Sequence, residues 1–203
     1  MAVADEVPGS PGSSLVSRLQ VVREAVLWKI EGVDEYDLRR PLTETGTNLL
    51  GLVKHLAAVE FDYFGDVFGR PPTIARPWSD SEDENADMWA TADESVEDVV
   101  GWYRSAWSHA DETFEHLDLD ARGVVPWWTP ERRDVTLGSV LVHVLAETAR
   151  PAGHADILRE SLDGAAGFVV GNDNLTHPDA EGRAAYVRRL QEVAQDAAGR
   201  GRP

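Results

Sequence analysis

The chain has no cysteine, which removes a disulfide framework, a thiolate nucleophile and any zinc site built on sulfur. Any metal would have to be held by histidine and carboxylates. Basic residues are scarce: 19 Lys and Arg stand against 36 Asp and Glu, for a formal charge of -17. That balance repels phosphate backbones and anionic headgroups, so nucleic acid and membrane are poor partners. No apolar run approaches the roughly 18 residues of a membrane span. The start, MAVADEVPGSPGSS, lacks the basic and apolar regions of a secretory signal, so a soluble cytoplasmic protein is expected. Neither G-x-S-x-G nor G-x-x-x-x-G-K-[ST] occurs, which argues against an α/β-hydrolase and a P-loop nucleotide enzyme.

What is present is helical periodicity. With 203 residues and 42% hydrophobic content the chain can build one real core. Residues 1–13, rich in Pro, Gly and Ser, read as a disordered tail. From Ser14, the positions Leu15, Leu19, Val22, Val26, Leu27 and Ile30 recur at three and four residues and predict an amphipathic helix ending at Gly32. Asp34 to Arg40 predicts a short helical turn. Thr47 is placed to cap a second long helix through Leu49, Leu52, Leu56, Val59 and Phe64. Residues 70–94 carry many acids and few apolar groups, and read as a long surface connection that would let the helices on either side run parallel. Ser95 with Asp98 resembles a capping box opening a third helix. Residues 118–135 form another connection, and Thr136 caps a fourth helix closed by Gly164. Residues 166–203 form an extension with a short final helix. No strand is convincing, FVV at 168–170 being too short. The sum is an all-α four-helix bundle.

The fourth helix, LGSVLVHVLAETARPAGHADILRESLD, carries His143, Glu147 and His154 where a core helix should be apolar. At about 100° per residue these three fall within roughly 40° of one another, beside Val140, Val144 and Ile157. Facing inward, a carboxylate there would need a metal, a hydrogen-bond network or a wet pocket. His55, in the apolar run LLGLVKHLAAVEFDYF of the second long helix, is the residue that could meet that stripe.

The phrases NLLGLVKHLAAVEFDYFG and TLGSVLVHVLAETARPAGHADILRESLDG resemble the DinB-like superfamily, and within it the mini-circle and mycothiol-dependent branch, over roughly residues 14–165. The resemblance implies an up-down-down-up bundle. It also implies a divalent metal, often zinc or nickel, held by a His of the second helix and a pair four apart on the fourth. The implied activity is transfer or isomerisation with mycothiol, bacillithiol or glutathione. Carried over, His55 takes the first ligand place and Glu147 the second. The third departs from the pattern: the family's ETARHxGHAD has His where this chain has Pro151, which offers no ligand atom and no amide to the Glu147 carbonyl. His154 and His143 are the two substitutes on the same stripe.

Two functions follow. The first is a metal-dependent transferase or isomerase acting on a small-molecule thiol and an electrophile; the second is a bundle with a degenerate metal site that binds small molecules without catalysis. Trp127, Trp128 and Arg159 are candidate walls for a carbohydrate-bearing thiol such as mycothiol. Each candidate also has a structural reading: Glu147 could pair with Arg150 or Arg159, His154 could bond Asp156 or Glu60, and the acids Asp80 to Asp87 could form only a solvated loop. Related bundles often pair, which leaves a homodimer open.

Overall fold

In the computed structural model, residues 9, 11–173, 175–176 and 179–200 are described. Most of the expected tail, residues 1–8 and 10, lies outside them, but Pro11–Ser13 already belong to the first helix. The helices are α1 (Pro11–Trp28), α2 (Glu35–Arg39), α3 (Leu49–Phe64), α4 (Val96–His116), α5 (Leu137–Asp163) and α6 (Ala180–Arg200). A two-stranded antiparallel ribbon, β1 (Arg122–Val124) and β2 (Asp134–Thr136), interrupts the all-α pattern. Among the described residues no helix is long and apolar enough to cross a membrane.

Local chemistry sets most helix ends. The Ser95 side chain accepts from the Asp98 amide while Asp98 reaches back to the Ser95 amide, a reciprocal cap that opens α4. Thr136 and Ser139 do the same for α5, and Gly164, with φ of 77°, closes it in the left-handed conformation that glycine adopts without strain. The cap of α3 is Asn48 rather than Thr47: the Asn48 Oδ1 accepts from the Gly51 amide at 2.7 Å. Asn is at least as good a cap as Thr, and its amide also reaches the carbonyls of Gly46 and Met88.

Two apolar clusters define the helix path. In one, Val26 and Leu27 of α1 and Ile30 just after it meet the start of α3, the start of α4 and Ala152 to Leu158 of α5. In the other, Leu19 meets Tyr63 and Phe64 at the end of α3, Ala110 late in α4 and Leu137 to Val144 early in α5. Helices α1 and α5 therefore run one way and α3 and α4 the other, the up-down-down-up path. Ion pairs made by buried cations tie the bundle together. Arg23 of α1 grips Glu60 of α3 with two nitrogens, one at 2.9 Å, and reaches Asp111 of α4. Lys29 meets Asp156 at 2.8 Å, and Lys54 meets Glu94 at 2.8 Å.

Several expectations need correction. The connection 70–94 is not merely a surface tether, since Trp78 is buried against Trp102 and Glu94 is buried with Lys54. The ribbon occupies the connection 118–135 and runs on to the α5 cap, Thr136; three-residue strands are too short to show a period. A Cβ on Gly123 would sit within 2.9 Å of Val67 and Phe68, so glycine lets the ribbon lie on the turn after α3. The final helix is not short: good helix formers carry it through 21 residues. It belongs to a second compact unit beginning at Gly167, the first ending at Ala166, and none of its residues is buried.

Candidate functional site

The partly open face of α3 carries His55 and Asp62, whose spacing of seven keeps them within about 20° on the helix, and Asp66 follows in the turn after its end. Each is met by the connection that precedes α4. The His55 Nδ1 lies 2.7 Å from Asp87 Oδ2, with both side chains about one-quarter to one-third exposed at 30% and 24%. Arg76 donates from Nη1 to Asp62 at 2.9 Å and to Asp66 at 2.8 Å. Burial pushes the Asp62 carboxyl up to about 6. Arg76 and His55 oppose that shift, and the negative charges of Asp66 and Asp87 add to it.

On α5, the His143 Nε2 meets the Tyr63 hydroxyl at 3.1 Å, and the rings lie 4.9 Å apart. The same hydroxyl accepts from the Trp127 indole at 3.3 Å, and Trp128 stands edge-on to His143 at 5.0 Å. The two tryptophans pack on Tyr63 near the start of α5, and Trp128 also meets His143. Arg159 lies near the other end of α5, where it straps the helix to the turn after α1 through the carbonyls of Lys29 and Glu31, and pairs with Asp163.

The inward stripe holds only in part. His154 is exposed and Ile157 is 64% exposed, while the buried face of α5 runs through Val140, Val144, Thr148, Pro151 and Ala155. The stripe was placed one flank too far round, because His143 and Glu147 are half-buried at the edge of that face. His154 bonds neither Asp156, which pairs with Lys29, nor Glu60, which pairs with Arg23. Glu147 has no hydrogen bond or ion pair among the described residues. Since α3 and α5 are antiparallel and His143 is level with Tyr63, Glu147 lies about one turn nearer the level of His55. Pro151, at the family's third ligand place, is buried inside a helix that continues through it.

These placements bear on the metal. Asp87 behind His55 is the kind of carboxylate that orients a ligand imidazole, yet the His143 Nε2 is committed to Tyr63 and Pro151 has no donor. Among the described residues no group of three or more His, Asp or Glu is placed to hold a metal ion. The donor set as it stands does not fit one.

Asp87, Arg76, Asp62 and Tyr63 escaped sequence reasoning. Asp87 sits in an acidic run that otherwise behaves as a solvated loop, and only its distance of 32 residues from His55, unreadable from spacing, sets it apart.

An all-α bundle on an up-down-down-up path, with a histidine on its second long helix backed by a carboxylate, is of the DinB-like class. The family model for mycothiol S-transferase matches residues 14–164, and the chain belongs to that family. No functionally curated protein matches it.

Proposed function

We propose that the protein transfers mycothiol, or a chemically similar low-molecular-weight thiol, onto a small electrophile, with His55 as the base that takes the thiol proton. The observation that carries this reading is the 2.7 Å contact between His55 and Asp87 in a chain of the mycothiol S-transferase family. Asp87 holds the imidazole in one tautomer, proton on Nδ1, and leaves Nε2 as the acceptor. The S–H bond breaks toward Nε2, the sulfur forms a bond to the electrophilic carbon, and the bond from that carbon to its leaving group breaks. The proton then leaves His55 with the departing group. A cysteine-free chain is consistent with the nucleophile arriving from solution.

The test is conjugation of mycothiol to an aryl halide by the full chain, followed through loss of free thiol. His55→Ala is expected to lower kcat/KM by about a hundredfold or more, and Asp87→Asn to lower it less, since the ring remains but its orientation is loosened. Full activity in His55→Ala overturns the reading.

A second reading, favoured by the partnerless Glu147, keeps a divalent metal such as zinc or nickel on His55 and Glu147, with His154 or His143 swinging in as the third donor. It supplies no step above. Its check is stoichiometric metal in the purified protein at neutral pH, lost in Glu147→Ala. Two copies pairing through an exposed face belongs to the same proposal and is read from the solution mass.

A further inference from the structure

We propose that the cavity beside the His55–Asp87 pair binds the uncharged, hydroxyl-rich sugar part of the thiol cosubstrate. The inference rests on the reading above and adds where, and by what chemistry, the cosubstrate is held.

The cavity encloses about 410 Å³ and is walled by the turn before α3, including Thr45 and Thr47, and by Asn85, Met88 and Trp89 of the following connection. Its size is within the range of small-molecule sites, roughly 300 to 1,000 Å³. Two of its lining segments flank the proposed base along the chain. Asp87 stands between Asn85 and Met88 in the chain, and Leu52, which also lines the cavity, is one helical turn before His55.

The lining chemistry selects the ligand. Hydroxyls, an amide and an indole are present, and no lining residue carries a charge. The charges close by are the carboxylates Asp83 and Asp87 and the Lys54 ammonium, which donates to the Trp89 carbonyl at 2.9 Å and is neutralised by Glu94, within a chain of net charge -17. A phosphate, or a thiol carrying free carboxylates such as glutathione, would meet repulsion and only a cation, Lys54, already held by Glu94. A neutral polyol would find hydroxyl and amide partners and the face of Trp89, which is 45% exposed and suited to the C–H side of a sugar ring.

The walls are also set before any ligand arrives. The Trp89 indole donates to Asp83 at 3.0 Å, and Asp83 accepts from the Asn85 amide at 2.9 Å. Asn48 bridges the two walls through Gly46 and Met88. A Cβ on Gly51 would lie 1.9 Å from the Met88 carbonyl, so the connection is seated directly on the backbone of α3. A wall fixed in this way loses little freedom on binding.

The experiment titrates the full chain with the thiol-free pseudodisaccharide of mycothiol, its amine N-acetylated so that it stays uncharged, reading tryptophan fluorescence and calorimetric heat. Saturable binding is expected, weakened about tenfold or more in Trp89→Ala and weakened also in Thr47→Val, with glutathione unable to compete. In turnover assays Trp89→Ala raises the KM for mycothiol and leaves that for the electrophile alone. Absence of binding by the wild-type chain, or binding untouched in both variants, overturns the inference. Sugar binding in a chain that performs no transfer supports this site while sinking the transferase reading. Transfer with a mycothiol KM indifferent to Trp89 does the reverse.

Discussion

At the scale of single residues, the least forgiving feature is the Arg23–Glu60 pair. Both side chains are fully buried, and burial pushes Glu60 up to about 7 against the pull of Arg23. Arg23→Met would leave a carboxylate in the core without its partner and is expected to cost about 3–5 kcal/mol, whereas Arg23→Met with Glu60→Leu should recover most of that loss. Urea melts of the two variants check the ordering. Asp62 offers a pH test. Its folded value of about 6 exceeds the ordinary 3.8, so between those values the native state binds more protons than the unfolded chain. Its contribution to stability is therefore fully present below about pH 4 and is lost as pH rises through about 6. Asp62→Asn should abolish that part of the fall, read as the urea midpoint followed from pH 4 to pH 7.

At the scale of elements, the helix ends were legible because caps act within three residues. Ser95 and Asp98, Thr136 and Ser139, and Gly164 all do what their local chemistry dictates. Ser95→Ala should cost about 1 kcal/mol, with faster hydrogen exchange at the first amides of α4. Asn48 displaced Thr47 as a cap because the connection docks on the start of α3, a contact the local pattern does not contain. In α5 the informative position is Pro151. The family pattern has a histidine there, and the proline is buried in the seam where that ring would stand. Pro151→His returns an imidazole four residues after Glu147, and zinc affinity should rise by about tenfold or more over the wild-type chain, measured by competition with a chromophoric chelator. Unchanged affinity would mean that His55 and Glu147 do not share a site.

At the scale of the molecule, the first unit closes its core by Ala166, and α6 contributes no buried residue. Deleting residues 167–203 is expected to leave the helical melt of the remaining bundle within a few degrees of the full chain. The charge of -17 likewise belongs to the whole chain, and no salt-sensitive binding of duplex DNA is expected in a mobility assay. By itself the sequence determined that the fold is helical, where α4 and α5 open and where α5 closes, and which family phrases it carries, because periodicity and capping are relations between residues a few places apart. Only the tertiary structure decided that Asp87 stands behind His55, that Tyr63 takes the Nε2 of His143, and that His154 faces solvent. Those facts depend on the rotation of one helix against another and on where a 25-residue connection, 70–94, comes to rest. Neither leaves a period in the chain: partners 32 and 80 residues apart are brought together by packing.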